Sequence, residues 1–226
     1  MRTDAALFDL IAQAWAAYDR GDRRTARGLA EQARAYAPRA PDPIAALAWF
    51  HLDADQPEAA AALLKPALKA HPEAWALWWY LGLVYQRQGD LLAAAGALRR
   101  ACCGDPALDS AAFTLAWVLH DLGHLDEAAA WSRYAVGKSH APERLQQAAW
   151  LALRTGAPQV AVDLYRALFE CLPSDAPDWA VLRRHFASAL EQAGDPEQAL
   201  AVLEAAGADD PAGLAAQAWL LLRLDT

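Results

Sequence analysis

Residues 78–106 read WWYLGLVYQRQGDLLAAAGALRRACCGDP, and this stretch decides the fold. Trp78, Leu81 with Gly82, and Tyr85 recur at the intervals that put side chains on one face of a helix. Gly89 predicts the end of that helix, because glycine takes the positive φ of a helix C-terminus without strain. Beyond it, Ala94, Leu98 and Ala101 resume the stripe, and the small Ala94 lets a second helix lie close against the first. Pro106 closes the unit. A helix, a turn and a second helix are the expectation.

With Trp75 as position 1, steps of 34 residues put further starts at Leu7, Pro41 and Asp109. The first unit, 7–40, has Gly21, Ala26, Ala33 and Pro38 at the same offsets. The second, 41–74, has Ile44, Leu47, Ala48, Ala60, Leu64, Ala67 and Pro72, with Asp55 in place of the turn glycine. The third is 75–108, and the fourth, 109–141, keeps Leu115, Ala116, Gly123, Ala128 and Ala135 but has His140 where proline is expected. A fifth, 142–179, restarts at Pro142 with Leu145, Ala148, Ala149, Gly156, Ala161, Tyr165, Leu168 and Pro173. The sixth, 180–213, has Phe186, Ala187, Leu190, Gly194, Ala199, Leu203, Ala206 and Pro211. The last two starts are 38 residues apart, since Ser174, Asp175, Ala176, Pro177 and Asp178 are added between them. That addition reads either as a helix lengthened at its front, with Ser174 or Asp175 capping and Pro177 in the first turn, or as a plain loop.

The spacing resembles the tetratricopeptide repeat, a helix-turn-helix unit of 34 residues. The resemblance implies an all-α fold: a right-handed α-solenoid of six helix pairs over residues 7–211, in one continuous domain. One helix pair cannot bury both of its apolar faces, so stacked neighbours and an end cover are required. Residues 214–226 resemble the C-terminal capping helix of such arrays, with Leu214, Ala218, Leu221 and Leu222 at helical spacing and Arg223 suited to the helix dipole. Residues 1–6 are too short for a cap and are expected to fray. The initial Met and the cap-like tail favour a complete chain.

Composition narrows the function classes. A hydrophobic share of 56% over 226 residues is ample for a core, and much of it is helix-favouring Ala. There is no apolar run long enough for a membrane span and no basic start followed by an apolar core, so the cytoplasm is the default compartment. A net charge of -8 argues against nucleic acid, whose phosphates require a basic face. The Ala-rich, Lys-poor sequence contains no Asn, which excludes N-glycosylation and hints at a GC-rich, bacterial coding genome. Cys102, Cys103 and Cys171 form no C-x-x-C pair and are expected to be buried small residues near helix ends.

No catalytic motif survives inspection, so no enzyme activity and no cofactor or metal is expected. Gly137, Lys138 and Ser139 resemble the end of a phosphate-binding loop, but that loop needs Gly where Ser132 stands. His120 and His124 are four apart, as helical metal ligands are, yet Gly123 lies between them at the turn. His51 falls on the core stripe and reads as a packed histidine.

Tryptophan is what stands out. There are ten, while the repeat asks for an aromatic at position 4 alone, where only Trp78 is a tryptophan. Position 9 reads Trp15, Trp49, Leu83, Trp117, Trp150 and Ser188 through the six units, and position 5 contributes Trp79 and Phe113. The resemblance implies that this face of every first helix lines a concave groove where partners dock. The groove floor would then be Trp15, Trp49, Trp79, Phe113, Trp117 and Trp150, and its polar fringe Tyr18, Asp19, Asp53, Gln86, Arg87, His120, Asp121, Arg154 and Glu191. The alternative is that these tryptophans are packing in an Ala-rich stack. The expected function is a non-catalytic scaffold holding a partner protein's peptide or helix. An accessory module of a glycosyltransferase or polysaccharide-assembly system, and a self-associating homo-oligomer, are the other readings.

Overall fold

The computed structural model describes residues 2–105, 108–172, 179–205 and 211–224. Among them there are thirteen helices and no strand. They are α1 (Arg2–Asp19), α2 (Arg23–Tyr36), α3 (Pro41–Asp53), α4 (Pro57–Ala70), α5 (Trp75–Arg87), α6 (Leu91–Gly104) and α7 (Asp109–Asp121). After these come α8 (Leu125–Lys138), α9 (Pro142–Arg154), α10 (Pro158–Cys171), α11 (Trp179–Gln192), α12 (Pro196–Glu204) and α13 (Pro211–Leu224). Helical-repeat architecture is therefore present throughout the described chain.

Contacts divide the chain into two compact units, residues 1–123 and 124–226. In unit 1 each helix packs on the next, and the first helices also pack on one another, α1 on α3, α3 on α5 and α5 on α7. In unit 2, α8 to α13 pack successively, and α11 also meets α13.

Local chemistry explains the helix pairs. After α5, Gly89 takes φ +77, and the Asp90 N–H donates to the Tyr85 carbonyl at 3.0 Å, closing the helix end. Asp90 then starts α6, its carboxylate accepting from the Ala93 N–H at 3.0 Å. Asp22 and Asp195 cap α2 and α12 in the same way, through Thr25 and Gln198. The alanine expected at each close crossing, Ala26, Ala60, Ala94, Ala128, Ala161 and Ala199, is 0% exposed in every case. Gly82 takes this furthest: a Cβ there would lie 2.6 Å from Leu98 Cγ, so α5 and α6 approach closer than alanine would allow.

Four expectations need revision. Residues 2–6 continue α1 instead of fraying, since nothing between Arg2 and Leu7 breaks a helix. Of the cysteines only Cys102 is buried, because Cys103 and Cys171 fall on outward positions of α6 and α10. Burial pushes the Cys102 thiol up to about 12, which keeps it protonated. The third concerns α13, whose inward face is not Leu214, Ala218, Leu221 and Leu222. Leu220 is 3% exposed, with Gly213 buried and Ala216 packed on the core, whereas Leu214, Leu221 and Leu222 are exposed at 44%, 46% and 69%. A helix apolar almost all round fits several stripes, so its periodicity does not fix its phase. The fourth is His51, which is partly buried but bonded, its Nδ1 lying 2.9 Å from Gln56 Oε1. The added residues 174–178 lie outside the described residues.

Candidate functional site

The first helices of unit 1 bring most of the expected aromatic set together. Trp15 lies on α1, Trp49 on α3, Trp79 on α5, and Phe113 and Trp117 on α7. All five are partly buried, each keeping some of its ring at the surface. Trp15, Trp49 and Trp79 are joined through ring contacts across consecutive first helices. Trp15 meets Phe50 edge-on at 5.3 Å, Tyr18 meets Trp49 at 6.4 Å, and Trp49 meets Tyr80 at 6.3 Å. Tyr80 meets Trp79 at 4.8 Å, and the Trp79 indole N–H donates to Thr114 Oγ1 at 3.3 Å, reaching α7. Such edge and offset contacts are the favoured aromatic geometries. On α7, Trp117 and His120 stand edge to face at 6.1 Å.

Polar groups at one end of this row form a network. Asp53 accepts from Arg23 Nε at 2.8 Å, and the Arg23 guanidinium lies 3.8 Å over the Tyr18 ring while NH1 donates to the Tyr18 carbonyl at 2.7 Å. The Tyr18 hydroxyl is held above its ordinary pKa, first by burial and then by the neighbouring Asp53 carboxylate. Both favour the neutral phenol.

The expected charged fringe is largely engaged within the chain. Asp53 pairs with Arg23, Arg87 with Asp55 at 3.4 Å, and Asp121 with His120 at 3.0 Å. Asp19 is exposed and has no partner among the described residues. In unit 2, Trp150 and Arg154 both lie on α9, the guanidinium 5.4 Å over the indole, and Glu191 pairs with Arg223 of α13. Sequence reading missed Arg23, Tyr80 and Thr114. Arg23 belongs to a second helix and meets Asp53 thirty residues away, a relation no local pattern signals. His120 lies in the last turn of α7 in unit 1 and His124 precedes α8 in unit 2, and Gly137 and Lys138 are the last residues of α8. Among the described residues no group of three His, Cys, Asp or Glu side chains could hold a metal ion. No described helix is long and apolar enough to cross a membrane.

Comparison with known proteins places this arrangement. Residues 45–111 match the family model of the tetratricopeptide repeat, and hundreds of solved chains, 284 in all, share the fold. Residues 45–111 thus carry tetratricopeptide repeats, and the chain shares the helical-repeat fold of such proteins. PilF of Pseudomonas aeruginosa is 16% identical with a TM-score of 0.75, over 90% of this chain and 91% of PilF. A thermophilic repeat protein of Thermus thermophilus, TTC0263, is 23% identical with a TM-score of 0.64, over 82% of this chain and 99% of that one. YrrB, described as a repeat protein with an unusual peptide-binding site, is 19% identical with a TM-score of 0.66, over 78% of this chain and 90% of YrrB. No curated protein matches this sequence.

Proposed function

We propose that this repeat protein is a non-catalytic interaction scaffold that holds a peptide or helix of a partner protein across the aromatic face of unit 1. One observation carries the reading: the rings of Trp15, Trp49 and Trp79 sit on consecutive first helices, linked by contacts, each with an edge left at the surface. Aromatic residues packed on one side and open on the other lose little entropy on binding, and they are the side chains most often found as interface anchors. Phe113 and Trp117 extend the surface onto α7, and Trp150 with Arg154 gives unit 2 a docking element of its own. The peptide-binding site named for YrrB supports the same class of partner.

The paired state of the fringe assigns roles to the charges. Asp53, Arg87 and Asp121 reach a partner only by exchanging Arg23, Asp55 or His120 for it. Asp19 is available without exchange, so it selects register and charge. The cytoplasm is the compartment in which we place this activity.

The test is capture of interacting peptides from a displayed library by the intact chain and by a Trp49→Ala, Trp117→Ala double variant, both well below their melting temperatures. Peptides selected on the intact chain are expected to lose binding to the double variant and to weaken as salt rises. Unchanged capture by the double variant would remove the main support for the groove. Salt-independent retention of sugars in place of peptides would favour the polysaccharide-assembly reading.

A further inference from the structure

Unit 1 has a second concavity that none of the aromatic-face residues lines, a cleft of about 220 Å³ formed by α2, α3, α4 and their connections. Its floor is apolar, with Ile44 from α3 and Leu63 and Ala67 from α4. Its polar wall is basic: the guanidiniums of Arg34 from the last turn of α2 and Arg39 from the following connection, beside the His71 ring at the end of α4. No carboxylate lines it.

The arginines there differ from their neighbours. Arg23, Arg27 and Arg87 of the same unit each pair with an acid, whereas Arg34 and Arg39 are exposed and have no hydrogen bond, ion pair or ring contact among the described residues. In a chain with 28 acidic and 20 basic residues, two guanidiniums left unpaired beside one apolar cleft are an unmatched positive patch. His71 adds a second sign. Its Nε2 is buried without a hydrogen-bond partner among the described residues, while Nδ1 stands 3.8 Å from the exposed Glu73 carboxylate. A buried ring nitrogen with no partner is a polar group that an incoming acceptor can satisfy.

We propose that this cleft binds a small amphiphilic carboxylate, with its apolar group on Ile44, Leu63 and Ala67 and its charge held by Arg34 and Arg39. Size sets the class. An apolar cavity of about 150 Å³ holds one benzene, so 220 Å³ accommodates a ring together with a carboxylate. Guanidinium is the side chain best shaped for a carboxylate, which it meets with two parallel hydrogen bonds. Mixed pockets of this kind, apolar with a few convergent polar groups, are the usual form of small-molecule sites.

Benzoate, benzyl alcohol and inorganic phosphate separate the two contributions when titrated onto the full chain by calorimetry, with the His71 ring protons followed by NMR. Benzoate is expected to shift the His71 signals and to bind about tenfold or more tighter than either the neutral alcohol or phosphate. Arg34→Ala with Arg39→Ala should lower benzoate affinity by about the same factor, and Ala70→Phe, at an exposed position on the rim, should block it. Equal binding of benzyl alcohol or of phosphate would overturn the proposal, as would benzoate binding unchanged in the double arginine variant. If Arg34 serves only the C-terminal dipole of α2, its replacement lowers the melting temperature and leaves benzoate binding where it was, which also refutes the site.

Discussion

Tyr165→Phe should make this protein more stable, although it removes a polar group and adds nothing. Tyr165 is 0% exposed in the unit 2 core, its ring 5.9 Å from Phe186, and its hydroxyl is buried with no hydrogen-bond partner among the described residues. Burial alone raises its pKa far above the ordinary tyrosine range, a measure of how dry the site is. In the unfolded chain that hydroxyl is hydrated, so folding costs about 1–3 kcal/mol in lost water bonds with no return. Replacing it with hydrogen leaves a void on the order of 10 Å³, which costs only about 0.2–0.3 kcal/mol. The net gain is about 1–2.5 kcal/mol. The repeat itself agrees, since Leu64, Leu98 and Leu203 occupy the equivalent place in other units and are fully or almost fully buried. Should unit 2 unfold by itself, the gain corresponds to about 4–8 °C per kcal/mol, and to about half that if the whole chain unfolds together. Calorimetry with urea titration measures both the sign and the size. A lower melting temperature for Tyr165→Phe would show that the hydroxyl does have a partner, and the reasoning would fail.

Two further outcomes follow from single residues. Asp55 holds φ +54 at the turn where Gly21, Gly89 and Gly123 take φ of +77 to +82 in the same unit. Asp55→Gly should therefore stabilise by about 0.5–1 kcal/mol, the relieved backbone strain outweighing glycine's greater unfolded-state entropy and an exposed Arg87 pair worth little; a loss in chemical denaturation would contradict this. His185 is held below its ordinary value of 6.5 by burial and then by the positive Arg184. Its unfolded form binds a proton more readily, so stability is full above about pH 6.5–7 and is lost as pH falls below that towards the folded pKa. Melting curves from pH 7.5 to 5 should show a shallower acid decline for His185→Gln, and an identical slope would exclude His185 as a contributor.

How much of this was legible in the sequence depends on the range of the interaction involved. Ala26, Ala60, Ala94, Ala128, Ala161 and Ala199 could be read directly, because a close helix crossing admits only a small side chain and the repeat samples that constraint six times. The turns could be read for the same reason, down to Asp55 carrying the positive φ that glycine carries elsewhere. The face of α13 could not. Its apolar residues surround the helix, so only its packing on α11 and α12 decides that Leu220 turns inward and Leu221 outward. Nor could the fate of the fringe charges. The Arg23 and Asp53 pair joins a second helix to the next first helix, and the repeat pattern treats both positions as variable surface. Cysteine burial failed because adjacent helix positions diverge by about 100°, and so Cys102 and Cys103 have opposite environments.

For the tryptophans of unit 1, packing and the proposed binding are compatible, because the same ring can serve both. Three rings of unit 1 lie in the seam between consecutive first helices: Trp15 against Phe50, Trp49 against Tyr18 and Tyr80, and Trp79 against Tyr80 and Thr114. A ring in a seam must pack on one side to fix the neighbouring helix and must leave its other edge at the surface the helices share. An Ala-rich stack needs such wedges, since alanine fills the crossings within a helix pair but leaves the wider gap between first helices open. Large side chains that fill this gap inevitably build an aromatic surface along it. Packing thus explains why tryptophan is there, and the exposed edges are what a partner would use. A partner that covered those edges, as proposed, would bear directly on the contacts between first helices, so that binding at this face and cohesion of unit 1 would draw on the same rings.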